Sequence, residues 1–225
     1  MIGTAAAQTP PEVQQIQDEW AEVFYKLPSR QQVAPFKALL ERTQALRERY
    51  PDRAEPLVMQ AIILCTLAAS DWGFDSLSRL QDARELLIQS IDRNPRAMEG
   101  TAFITLGNLY FRLPGWPISY GDDELALHYL ESAAKMFPDA IDVNFFLGDY
   151  WLHEGEYEKA LSYLQKADQA PVRPGQRLSD EKLKEELQAS LEAARKRSGS
   201  RGDFFSSLLP STLGEQSTKA SRAEH

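Results

Sequence analysis

Apolar residues recur along this chain at intervals of three and four, the spacing that gathers them on one face of an α-helix. Val13, Ile16, Trp20, Val23, Phe24 and Leu27 make one such face. They predict a helix over residues 12–27, opened by Pro10-Pro11 and stopped by Pro28-Ser29. Phe36, Leu39, Leu40, Thr43 and Leu46 make the next, in a helix running to Tyr50 that Pro35 either begins or kinks. Three longer series follow. In each, apolar and small residues alternate over two helices and end at a proline. They are Leu57, Gln60, Ala61, Leu64 with Ala83, Leu87, Ser90, Pro95; Phe103, Leu106, Gly107, Tyr110 with Ala126, Leu130, Ala133, Pro138; and Asn144, Leu147, Gly148, Trp151 with Ala160, Leu164, Ala167, Pro171. Pro51 precedes them in the same way, and a proline just past a helix end is expected because it cannot continue the helix. Leu183, Leu187, Leu191 and Ala194 form a narrow stripe on a last helix. Ser179 is its expected N-cap, with Asp180 and Glu181 in its first turn and Arg195-Lys196-Arg197 in its last, as the helix dipole favours.

The spaced series of an aromatic, Leu-Gly, a second aromatic, Ala, a large apolar residue and a closing Pro resembles the tetratricopeptide repeat. The best copy spans residues 141–171. It departs from the pattern at Asn144, where a Trp is usual, and its Pro171 comes one residue early. The copy before it is lengthened between its helices, where residues 113–122 make the turn about seven residues longer than the pattern needs. The turn through residues 70–74 of the first copy is also expanded. Gly148 and Ala160 sit where two helices are expected to cross, and a larger side chain there pushes the backbones apart. Gly-Trp-Pro-Ile-Ser-Tyr-Gly-Asp at 115–122, Gly148-Asp149 and Ala170-Pro171 before Arg173-Pro174 are also similar to a group of small, often exported bacterial repeat proteins. The resemblance implies an all-α fold, an α-α superhelix of helix pairs with a C-terminal capping helix. Residues 1–11 are then a flexible leader and 12–50 a degenerate first pair. Residues 51–171 are three repeats, 172–197 a loop and the capping helix, and 198–225 a disordered tail.

Composition narrows the function classes. The chain has 225 residues and is 43% hydrophobic, enough for a sizeable core. Its formal charge of −8 argues against nucleic acid and against an anionic membrane surface as partner. No apolar run reaches the roughly 20 residues that span a bilayer. Cys65 is the single cysteine, which forbids an intrachain disulfide, and its place on an apolar helix reads as a small buried hydrophobe. Ala5-Ala6-Ala7 before Gln8 is similar to the end of a signal cleavage site. Export to the periplasm is therefore the expectation, with the cytoplasm as alternative.

Candidate chemistry is sparse. His128 has Glu124 and Glu131 on its helical face, His153 lies beside a turn, and His225 is the last residue. No Cys–His or Ser–His–Asp arrangement is suggested, and the glycines of residues 115–121 lack the Lys-Ser or Lys-Thr of a phosphate loop. Arg201-Gly202-Asp203 is a chance tripeptide in the tail. No enzyme, cofactor or metal is expected. What the resemblance does imply is a concave groove lined by the first helix of each pair. Its groove positions fall on Thr101, Ile104, Asn108, Phe111 and Arg112, then on Asp142, Phe145, Asp149, Leu152 and His153. In the first copy they fall on Glu55, Val58, Ile62, Cys65 and Thr66. Asn108 and Arg112 are similar to part of the carboxylate clamp of chaperone-binding members. Ile104, Phe145 and Asp149 stand where that clamp has its other polar residues, so it is excluded. Asp149 would favour a basic ligand, and Phe111 and Phe145 either give apolar contact or pack on neighbouring helices. Trp116 and Tyr120 in the long turn are the second candidate surface. Trp116 is expected to fold back over a helix end, and the alternative is that it meets a partner. The expected function is a non-catalytic scaffold or adaptor that binds a protein or peptide in the groove. The alternative is a small-ligand-binding accessory subunit of an uptake or envelope system, its pocket closed by Trp72, Trp116 and Tyr120.

Overall fold

The structure, a computed structural model, describes residues 9–70, 75–116 and 118–198. The expectations for the leader up to residue 8, for Trp72 and for the tail from residue 199 fall outside the described residues. Among the described residues the chain forms nine α-helices and no strand. They are α1 Pro11–Lys26, α2 Val33–Arg49, α3 Glu55–Ser70, α4 Ser76–Arg93, α5 Thr101–Arg112, α6 Asp123–Met136, α7 Ile141–His153, α8 Tyr157–Gln169 and α9 Arg177–Arg195. Short 3₁₀ turns lie at Ser29–Gln31, Ala97–Gly100 and Pro174–Gln176.

Helix boundaries follow local chemistry. Pro11 opens α1 and Pro35 falls in the first turn of α2, where no intrahelical N–H is required. Pro35 therefore begins its helix and does not kink it. Asp122 caps α6 by accepting a hydrogen bond from the Leu125 N–H at 2.9 Å. The expected cap at Ser179 is corrected: α9 starts two residues earlier, because Pro174–Gln176 already turns the chain into it.

The helices pack in pairs, α3 on α4, α5 on α6 and α7 on α8. The first helices α3, α5 and α7 also touch one another. At each well-formed pair a glycine permits the approach. A Cβ on Gly107 would lie 2.7 Å from Leu130 Cγ, and one on Gly148 would lie 2.7 Å from Leu164 Cγ. Leu164, more than the small Ala160 expected there, is the side chain that fills the space above Gly148, and both are buried. Asn144, in place of the usual aromatic, is buried and donates from its amide to the carbonyls of Pro138 at 2.7 Å and Ala140 at 2.9 Å. It therefore fastens the turn between α6 and α7 by hydrogen bonds instead of by ring packing.

α9 lies against α7 and α8, burying Leu183, Leu187, Leu191 and Ala194. Glu186 is on the same side, and its Oε2 is buried without a hydrogen-bond partner. Burial first, then the negative charges of Asp149 and Glu185, push its acid from 4.5 up to about 7.

Two outcomes follow from this packing. Gly148→Leu should lower the thermal midpoint, by an overpacking cost of roughly 1–3 kcal/mol; an unchanged midpoint would disprove the approach of α7 to α8. The second concerns Glu186. Its folded value exceeds its ordinary one, so between pH 4.5 and about 7 the folded chain holds a proton that the unfolded chain releases. Stability falls as pH rises through that window. Because the group is only half-buried, the loss is on the order of 1 kcal/mol. Glu186→Gln should therefore raise the midpoint at pH 8, with the gain shrinking toward pH 5, in parallel melts of both proteins.

Candidate functional site

α5 touches both α3 and α7, and all three helices border a common space. α1 and α9 reach across that space and meet. At the meeting point the Gln14 amide donates to the Gly175 carbonyl at 2.7 Å. Between these helices lies a partly open cavity of about 120 Å³.

One wall of the cavity is apolar. α3 contributes Met59, Ile62 and Cys65 at helical spacing, α5 contributes Ile104, α7 Phe146 and α9 Leu183. Trp20 of α1 lies over this wall. Its ring stacks on Phe24 at 5.0 Å, and its indole N–H donates to Thr66 Oγ1 at 3.0 Å. Thr66 in turn donates to the Ile62 carbonyl at 2.8 Å, so the indole is fixed by a short chain of hydrogen bonds. Burial pushes the Cys65 thiol up to about 12, which leaves it an unreactive wall residue.

The other wall is ionic and centres on Arg173. Its Nε donates to Asp180 Oδ2 at 3.0 Å and its Nη2 to Asp180 Oδ1 at 2.7 Å. Nη2 also lies 3.1 Å from Asp142 Oδ2, and Nη1 donates to Glu99 Oε2 at 2.6 Å. The Arg173 backbone N–H completes the hub by donating to Asp180 at 2.8 Å. Glu99 is held there by an uncommon backbone. Met98, Glu99 and Gly100 all have positive φ, at 47°, 55° and 80°, and two of the three carry a Cβ. Such a left-handed conformation costs about 1–2 kcal/mol for each non-glycine residue. The Thr101 hydroxyl, donating to the Met98 carbonyl at 2.5 Å, and the Arg173 pair stabilise the turn. Burial raises the Asp142 acid and outweighs the opposing pull of Arg173. Burial works against the charge on Arg173 too, yet Asp180, Asp142 and Glu99 more than offset it, and its guanidinium is held above its ordinary value. Tyr25, also in the lining, has its phenol raised by burial first and then by Glu186, Asp180 and Asp142.

Of the sequence-predicted groove residues, Thr101 and Asp142 line this cavity, as do Ile62, Cys65, Thr66 and Ile104. Others lie within the packing. Phe145 is fully buried and meets Phe146 edge-on at 5.1 Å. Asn108 is buried and donates its amide to the Ile104 carbonyl at 2.9 Å, within its own helix. Asp149 is buried in an ion pair with Arg112, so its charge is matched within the fold. Phe111 is buried and packs on Tyr150 at 5.0 Å and on His153 at 4.9 Å. Asn108, Phe145 and Asp149 are all nearly fully buried, so none of them presents a surface to a bound peptide here. Trp20, Tyr25 and Arg173 were not among the predicted site residues. Trp20 belonged to an apolar face and Arg173 to a loop, and only the closure joins them.

The long turn behaves differently from its expectation. Trp116 is 89% exposed and does not fold back over a helix end. The turn is instead pinned at its base. The Asp122 N–H donates to the Tyr110 carbonyl at 2.9 Å and the Gly121 N–H to the Pro114 carbonyl at 3.0 Å. A Cβ on Gly121 would fall 1.8 Å from the Leu113 carbonyl oxygen, so the crossing of the two strands of the turn admits only glycine. Tyr120 donates its hydroxyl to the Leu80 carbonyl at 2.8 Å and lies under the Arg84 guanidinium. Tyr120 and Trp116 take no part in the cavity. His128 rests edge-on to Tyr129 at 5.5 Å, and among the described residues no group of three or more His, Cys, Asp or Glu is arranged to hold a metal ion.

No curated protein matches the chain. Residues 121–174 match the sequence model of the family described as tetratricopeptide repeat. That stretch holds α6 and the pair α7–α8, the part in which Gly148 meets Leu164. The pairing of α3 to α8 and this match make the chain an all-α protein that contains the tetratricopeptide repeat.

Proposed function

We propose that this chain is a non-catalytic interaction module, a scaffold or adaptor that binds a protein or peptide through its concave side. In this reading one apolar side chain of the partner enters the cavity between α1, α3, α5, α7 and α9. The observation that carries it is the cavity itself, apolar on one wall and polar on the other, on the side where repeats of this kind gather their first helices. A cavity of about 150 Å³ holds a benzene ring, so this one is matched to a single branched aliphatic or small aromatic side chain. The raised thiol of Cys65 and the engagement of His153 against Phe111 support a binding role over catalysis.

The closure of α1 on α9 favours a second reading, a pocket for a small ligand, since it bounds the cavity where an open trough would run on. The loop-closed form of that reading loses its support, because Trp116 and Tyr120 lie elsewhere. No described helix is long and apolar enough to cross a membrane. The export reading rests on residues outside the described ones.

Peptides selected from a random display library against the immobilised protein supply the test. Ile62→Trp fills the cavity from its partly buried wall, and Trp116→Ala removes the loop side chain. In calorimetric titrations Ile62→Trp should weaken the selected peptides by about 2 kcal/mol or more, with its melting point retained. Trp116→Ala should leave them unchanged. The opposite pattern overturns the concave site and assigns binding to the turn of residues 113–122.

A further inference from the structure

We infer that the cavity selects a cationic amphiphile: an apolar anchor with a positive charge directly beside it, as in a partner segment where Lys or Arg adjoins Leu or Phe. This rests on the reading of the cavity as the binding site and names the chemistry that the site would take.

The carboxylates around Arg173 would by themselves be an internal hub. What turns them toward a ligand is the cavity they border, since Asp142, Asp180 and Arg173 all belong to its lining. Three carboxylates, with Glu99, meet one guanidinium, so the hub carries a formal charge of −2. Asp180 is 1% exposed and its charge is screened little by water. Each nitrogen of the Arg173 guanidinium is already engaged by a carboxylate. Among the described residues no other Lys or Arg lines the cavity. An anionic ligand would therefore meet excess negative charge and no unengaged cation. A cationic one would relieve the repulsion among the three acids. The apolar wall supplies the other half of the selectivity, because a bare cation gains nothing from Met59, Ile62 and Ile104.

Three probes of one shape test this: 3-phenylpropylamine, 3-phenylpropanol and 3-phenylpropionate, titrated into the whole protein at pH 7 and followed by calorimetry and by Trp fluorescence. The amine should bind roughly tenfold or more tighter than the alcohol, and the carboxylate weakest. The preference should shrink with added salt and in Asp142→Asn. Glu99→Gln, at a half-exposed position, should reduce it as well and guards against loss of folding in the first variant. Ile62→Trp should abolish binding of the amine. If alcohol and amine bind alike, or the carboxylate binds as well as the amine, the charge selectivity is wrong and the cavity remains a site. If the amine binds Ile62→Trp as it binds the parent, the preference belongs to the general surface charge and the inference is overturned. If none of the three binds, the cavity is not a site and both readings fall.

Discussion

Two helices can pack backbone to backbone only where one of them lacks a side chain. Gly107 under Leu130 and Gly148 under Leu164 meet that condition in successive pairs. The consequences extend beyond each pair. Close approach buries Ala126, Ala133, Ala160 and Ala167 completely, residues too small to reach across a wider gap. The paired helices in turn bring α5 and α7 into contact with each other. The cavity, the ionic hub and the packed aromatics behind them depend on that contact.

The pairs were legible in the chain because their signal is local. Leu-Gly, an aromatic, and Ala-Leu-Ala fall within one repeat, and each residue meets a neighbour a few turns away. The closure of the concave side is a contact between residues far apart, Gln14 and Gly175, and no short pattern encodes it. Repeat positions alone therefore do not tell which side chains line the cavity. Asn108, Phe145 and Asp149 occupy groove positions in the repeat pattern, yet here they are buried, while the cavity takes Trp20 from α1 and Arg173 from the turn before α9. Trp116 was misjudged for another reason. A large aromatic is more often buried than not, and that tendency says nothing about a turn pinned at its base by Gly121 and Tyr120.

The charges divide by the same geometry. Arg112 with Asp149 pairs one plus with one minus inside the fold. Arg173 with Glu99, Asp142 and Asp180 is not balanced, and it sits where the N-terminal ends of α5, α7 and α9 converge. Positive helix ends favour carboxylates, which helps this region hold Asp142 and Asp180 in little water. Chain segments distant in sequence are thereby joined through one side chain.

The contact of α1 with α9 has a mechanical meaning of its own. A linear array of repeats is a stack of nearest neighbours, and each end can fray without consulting the other. Joining the first helix to the last turns the stack into a loop. Neither α1 nor α9 is then an independent starting point for unzipping, since each is held by the other. Such a closed stack is expected to lose both helices together, closer to the all-or-none unfolding of a compact domain than to the graded melting of a solenoid.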